Sequence, residues 1–275
     1  MAQLEVHFGD NLPVLRGLQS GSVDLIYIDP PFNTGKAQSR TSLATVRDEN
    51  GDRAGFQGRR YRSVTLGRRQ YDDIFGDYLA FFGGTRILKP NGSLLLHLDY
   101  REVHYCKVML DMLFGRDRFM NEIIWAYDYG GRPKRRWPAK HDTILWYVRD
   151  PAHYTFNLDA CDRIPYMAPS LVAKDKAARG KTPTDTWWHT IVPTNGSEKT
   201  GYPTQKPRGI VDRIVRVHSN PGDQLCDFFA GSGTLGESAA ALGRRCILVD
   251  SNPEAIQVMK ERLKDVDVQW VDDQE

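Results

Sequence analysis

Strand and helix signals alternate along this chain, predicting a doubly wound, mostly parallel α/β sheet of seven strands. Three observations carry that reading. Short apolar runs recur at Leu4 to Phe8, Val23 to Ile28, Ser93 to Leu98, Gln224 to Phe228 and Arg245 to Val249, with helical periods between them. A glycine-rich turn leads from one of these strands directly into a helix. Two more strand signals, Glu122 to Tyr127 and Thr143 to Val148, predict an antiparallel hairpin at the sheet edge. Parallel neighbours need crossovers, and helices covering the sheet faces supply them.

The elements follow in order. After the first strand, Leu12, Leu15 and Leu18 recur at helical spacing from Asn11. Val23 to Ile28 reads as a buried strand, ended by Pro30-Pro31. Residues 33 to 70 are rich in Gly, Arg and Ser without a sustained period, which predicts a long loop, and loops of that length are usually functional. A helix from Asp77 stops at Lys89-Pro90-Asn91-Gly92. After the strand Ser93 to Leu98, Tyr100 to Phe114 forms a helix. Between the hairpin strands lies a basic tip, Tyr129 to His141. Residues 150 to 200 are polar and proline-rich with weak periodicity, an inserted region. Pro207 to His218 carries Ile210, Val211, Ile214 and Val215 on one helical side, and helices from Gly233 and Pro253 complete the pattern.

With 37 Lys+Arg against 35 Asp+Glu, net charge alone makes no case for a polyanionic partner. Distribution does: Arg59, Arg60, Arg62, Arg68 and Arg69 share one stretch, and Arg132, Lys134, Arg135 and Arg136 sit with Trp137 in the hairpin tip. Four cysteines without metal-ligand spacing fit a reducing cytoplasm, no metal site is expected, and no apolar run suits a membrane span. His97 and His104 read as ordinary strand-end and helix residues.

The turn Asp227-Phe228-Phe229-Ala230-Gly231-Ser232-Gly233-Thr234 matches a nucleotide-cofactor loop, with Asp250 ending the next strand where it can accept ribose hydroxyls. A dinucleotide would set its pyrophosphate on the helix N-terminus, where Asp227 would repel it. A carboxylate there suits the cationic amino and sulfonium groups of S-adenosylmethionine. Asp29-Pro30-Pro31-Phe32 ends the buried strand facing the same crevice. A carboxylate and a proline carbonyl are both acceptors, matched to the two donors of an exocyclic NH2. Phe32 is placed to stack on a base extracted from a duplex. None of the cysteines follows a proline, which excludes the usual nucleophile for methylation at cytosine carbon 5.

These motifs, with Gly9-Asp10, Lys89-Pro90-Asn91-Gly92 and Thr204-Gln205-Lys206-Pro207, occur in an order that resembles the β class of bacterial exocyclic-amino DNA methyltransferases. The resemblance implies a Rossmann-like methyltransferase fold and S-adenosylmethionine as cofactor. It sets Asp10 near the adenine ring of the cofactor, Asp227 near its amino group, and Thr204 and Lys206 near its carboxylate. Phe229, Ala230, Gly231, Gly233, Thr234 and Asp250 complete that site. The substrate would be double-stranded DNA at cytosine N4 or adenine N6, both bases staying open, in a cytoplasmic, nucleoid-associated enzyme. The resemblance is compatible with a homodimer and with a restriction endonuclease on a separate chain. Residues 1–149 would form the catalytic half, 150–200 the target-recognition region and 201–275 the cofactor half. Two other readings are a nicotinamide-dependent oxidoreductase and a non-catalytic DNA-binding module of the same fold.

Overall fold

The computed structural model describes residues 3–31, 37–47, 53–54, 60–72, 79–193 and 196–273. It comprises two units, Pro31–Gly76 and the remainder of the chain. The larger unit holds β1 (Leu4–Phe8), α1 (Asn11–Gly17) and β2 (Val23–Ile28) before the insertion. The insertion contributes β3 (Ala37–Arg47), β4 (Arg53–Ala54) and β5 (Arg60–Asp72). After it come α2 (Leu79–Ile87), β6 (Leu88–Leu98), α3 (Val103–Phe114), β7 (Phe119–Ala126) and β8 (His141–Val148). The order closes with α4 (Lys174–Arg179), β9 (Thr186–Trp188), α5 (Arg208–His218), β10 (Gln224–Asp227), α6 (Thr234–Ala241), β11 (Arg245–Asp250), α7 (Pro253–Arg262) and β12 (Val268–Asp272).

One nine-stranded sheet runs in the order β12-β1-β11-β10-β2-β6-β8-β7-β9. It is parallel from β12 to β6, and β8 then pairs antiparallel with both β6 and β7. All six residues of β2 are buried, as a central parallel strand covered on both faces requires. On α5 the four expected residues Ile210, Val211, Ile214 and Val215 are completely buried. Among the described residues no helix is long and apolar enough to cross a membrane.

The sheet has two strands beyond the seven expected. β9 is only three residues long and pairs parallel with β7, so the hairpin lies one strand in from the edge. β12 pairs parallel with β1 but is mostly exposed, so it leaves little apolar pattern to read. The loop expected over 33 to 70 contains strands as well. β3 and β5 form a long antiparallel ribbon with β4 alongside, a three-stranded sheet of its own. A ribbon held by backbone pairing shows no alternation of apolar residues, which is why the sequence read as loop. The helix ends where Lys89 to Gly92 was expected to stop it, at Ile87, and these residues themselves lie within β6, where the register against β2 shifts between Val23 and Leu25.

Within the larger unit, part of the polar region 150 to 200 is anchored to α5. Asn157 donates its backbone N–H to Val217 O (2.8 Å) and its side chain to Ser219 O (2.9 Å), while Arg213 and Arg216 hold Asp162 at 2.8 and 3.0 Å. These contacts fix residues 157 to 162 to the C-terminal half of α5. A cavity of about 400 Å³ lies there, walled by Trp146, Phe156, Trp187 and His218.

Candidate active site

The site grows from the edge where β1, β2, β10 and β11 end. Register places Phe8 beside Asp250 and sets β10 between β11 and β2, so Asp10, Asp29, Asp227 and Asp250 all emerge at one end. Carboxyl ends of parallel strands are where sheets of this kind bind ligands.

The glycine turn is built by its own backbone. Gly231 and Gly233 take positive φ of 50° and 71°, and Gly233 caps α6. A Cβ at Gly236 would meet Leu248 Cδ1 at 2.5 Å, so this glycine lets α6 lie close on β11. Gly231 N–H donates to Asp250 Oδ2 at 2.7 Å and Asn252 N–H to Oδ1 at 2.8 Å, each oxygen keeping a second lone pair for a ligand hydroxyl. Burial pushes Asp250 above its ordinary range against those two bonds. Ala230 N–H bonds Val249 O at 3.0 Å. Buried Thr234 accepts from Arg262 (2.7 Å) and donates to Lys206 O (3.3 Å), so its hydroxyl serves the turn.

Asp227 is 4% exposed and accepts the Phe229 N–H at 3.0 Å. Burial, then the charges of Asp29 and Asp250, raise its carboxyl well above the usual range, while Phe229 N–H and Lys206 oppose them. A buried acid starved of positive charge is suited to a cationic ligand. Asp10 is exposed and caps α1 through Leu12 N–H at 2.8 Å. Next to it, Asn11 ties α1 to Phe228 O at 3.1 Å.

Asp29 follows β2. Its Oδ2 accepts from the Lys206 ammonium, and its Oδ1 is buried with no hydrogen-bond partner among the described residues. Lys206 therefore pairs with Asp29, while the resemblance implies a place for it near the cofactor carboxylate. Removing one partner of such a buried ion pair typically costs about 3–5 kcal/mol. Thr204 is exposed, and its carbonyl lies 3.5 Å from the Lys206 ammonium. Pro30 is buried and Pro31 half-buried, and Phe32 lies outside the described residues.

A polar chain that sequence reading missed runs through the apolar core beside Asp29. Tyr27 OH bonds His97 Nδ1 (2.8 Å), His97 Nε2 bonds Asp142 Oδ2 (3.2 Å), and Tyr127 OH donates to Asp142 Oδ1 (2.9 Å). Burial alone would raise Asp142, but its bond to His97, the charges of His97 and Lys206, and the Tyr127 hydroxyl outweigh it and hold it low. Burial, then Asp29, Asp227 and Asp142, raise the Tyr27 phenol. The signal was a histidine inside the apolar run Ser93 to Leu98.

Of the basic residues, Lys134, Arg135 and Arg136 are exposed on the β7–β8 tip, Arg132 pairs with Asp128 at 2.6 Å, and Trp137 is 94% exposed. Since Leu98 pairs with Thr143 and Ala126 with His141, this tip leaves the sheet at the same end as the carboxylates. Arg60 and Arg62 are exposed on β5, Arg68 and Arg69 lie further along that strand, and Arg59 falls outside the described residues. Trp187 is buried beneath Arg213, whereas its neighbour Trp188 is exposed.

The buried unpartnered oxygen of Asp29, the desolvated Asp227 and the two left-handed glycines fit S-adenosylmethionine. Asp227 would take its amino group, Asp250 its ribose, and the glycine turn its close backbone approach. Comparison with known proteins agrees. The N6/N4 DNA methylase family model matches residues 23–261. The type II methyltransferase M.HpaI of Haemophilus parainfluenzae is 31% identical over 252 residues, 92% of this chain and 71% of that one. The DNA adenine methyltransferase YhdJ of Escherichia coli (strain K12) is 31% identical over 268 residues, 93% of this chain and 81% of that one. The fold is shared with the crystal structure of an M1.HpyAVI–SAM complex (TM-score 0.60, 22% identity, 94% of this chain and 100% of that one). This chain belongs to the N6/N4 DNA methylase family of S-adenosylmethionine-dependent DNA methyltransferases.

Proposed function

We propose that this protein methylates N6 of adenine in double-stranded DNA, on a base flipped into the crevice beside Asp29. The observation that carries the chemistry is the buried Asp29 Oδ1, an acceptor with no partner among the described residues. Asp29 Oδ1 and the Pro30 carbonyl would accept the two amino hydrogens, freeing the nitrogen lone pair from the ring and aiming it. When bound, S-adenosylmethionine supplies an electrophilic methyl on a cationic sulfur. Asp227 and Asp250 hold positive and hydroxyl groups, and the acceptors at Asp29 and Pro30 take up the hydrogen-bonding load as the amine becomes positive. Phe32 stacks on the extracted base. Adenine is favoured over cytosine by the 31% identity to a DNA adenine methyltransferase across most of both chains, and by an aspartate before Pro30-Pro31.

For DNA contact, the reading assigns phosphates to Arg59, Arg60, Arg62, Arg68, Arg69, Arg132, Lys134, Arg135 and Arg136, with Trp137 at a base or sugar. Within the recognition region, residues from Trp188 onward are better placed than residues 157 to 162. His189 N–H bonds Ala126 O (3.1 Å) at the end of β7, whereas Asn157 and Asp162 are fastened to α5. The proposal extends to a homodimer and a separately encoded endonuclease, both carried by the resemblance alone. The test is a nucleoside digest of unmodified genomic DNA after incubation with enzyme and S-adenosylmethionine, read by mass spectrometry. N6-methyladenine is expected with the native chain and none with Asp29→Ala. N4-methylcytosine would move the target to the other base, and unmodified DNA would sink the reading.

A further inference from the structure

We propose that Lys206 is a positioning residue for methyl transfer: it commits one oxygen of Asp29 to an ion pair so that the other faces the target amine. This rests on the reading of Asp29 above and assigns Lys206 a role different from holding the cofactor carboxylate.

Three observations converge. The Lys206 ammonium bonds Asp29 Oδ2, the lysine is buried and the aspartate half-buried, and Oδ1 of the same carboxylate is left buried with no partner among the described residues. A carboxylate with neither oxygen held could turn about Cβ–Cγ and present either one; an ion pair on one oxygen removes that freedom before substrate arrives. The lysine is itself fixed from both sides. Its carbonyl accepts the Thr234 hydroxyl at 3.3 Å, tying it to the glycine turn. Gln205 before it is fastened by Thr200 N (2.9 Å) and Glu198 O (2.7 Å), and Pro207 after it caps α5.

The third observation is charge. The ammonium acts on Asp227 and Asp142 as well as on Asp29, so it stands among several buried carboxylates. Adding a ligand carboxylate there would crowd like charges around one ammonium. Neutralising Asp29 instead leaves Asp227 as the carboxyl for the amino group of the cofactor and Asp250 for its ribose. One lysine, anchored to the cofactor turn by its backbone and to the catalytic carboxylate by its side chain, thereby couples two segments 177 residues apart in sequence.

The test uses the full chain with Lys206→Met, Asp29→Asn and the double variant, which removes both charges and guards against a fold defect from one uncompensated charge. Single-turnover methylation of genomic DNA at saturating S-adenosylmethionine should fall about 100-fold or more in Lys206→Met. S-adenosylhomocysteine affinity, measured calorimetrically, should change by less than about threefold. In the Asp29→Asn background, Lys206→Met should slow transfer by less than about threefold more, and the two replacements should be non-additive in thermal midpoint without any DNA or cofactor. Loss of S-adenosylhomocysteine affinity by about tenfold with the saturating rate preserved would overturn the proposal and return Lys206 to the cofactor. Additive thermal midpoints would overturn it too. A native chain that leaves DNA unmodified, yet shows the thermal coupling, would overturn the methylation reading and this role together while keeping the ion pair.

Discussion

At Asp227 the electrostatics have a thermodynamic consequence. Its folded carboxyl titrates well above the ordinary range, through burial first and then Asp29 and Asp250. The folded state therefore binds more protons than the unfolded state between those two ranges, and stability falls as pH rises through that window. Urea denaturation of the cofactor-free protein at stepped pH should show this decline, and Asp227→Asn should remove its share of it. Equal slopes in the two proteins would refute the assignment. Gly233 gives a second test: with φ at 71° and a Cβ that would approach Met259 Cγ at 2.7 Å, Gly233→Ala should cost roughly 1–2 kcal/mol in the same measurement. Both residues were legible in the sequence, because a glycine turn between a strand and a helix is local. The partner of Asp29 was not. No spacing rule links residue 29 to residue 206; the lysine is brought there by its tie to Thr234 at the start of α6 and by the pairing of β10 with β2. His97 was equally hidden, since a buried histidine and an ordinary one look alike until Tyr27 and Asp142 close around it.

Among the elements, the β7–β8 tip is the best-defined candidate for DNA contact. It carries four exposed basic side chains, Arg132, Lys134, Arg135 and Arg136, and an almost fully exposed tryptophan at the end of the sheet where the carboxylates lie. If Arg135 and Arg136 each neutralise one phosphate, replacing both with alanine should lower the slope of log K against log salt by about 1.8. An unchanged slope would place DNA elsewhere. Elements with a buried face were read correctly, including β2 and α5. β12, β9 and the ribbon were missed: β12 is mostly exposed, β9 is only three residues long, and the ribbon pairs through its backbone without an apolar period in its sequence.

Across the whole molecule, the site draws on residues 10 and 29 from one end of the chain and on 206, 227 and 250 from the other. A ligand gripping both should stabilise the larger unit as a body. S-adenosylhomocysteine at about 100 times its Kd should add roughly 2.7 kcal/mol and raise the thermal midpoint by a few degrees, with NAD giving no shift. The reverse pattern would revive the oxidoreductase reading. By itself the sequence determined the doubly wound class, the order of its motifs and the identity of the acidic, glycine and proline residues at the strand ends, because strand burial and turn chemistry act over a few neighbouring residues. Tertiary structure alone decided that the carboxylates converge, that Lys206 meets Asp29, and that residues 157 to 162 are fastened to α5. Each of those depends on strand order and helix packing across long sequence separations, where local propensity has no reach.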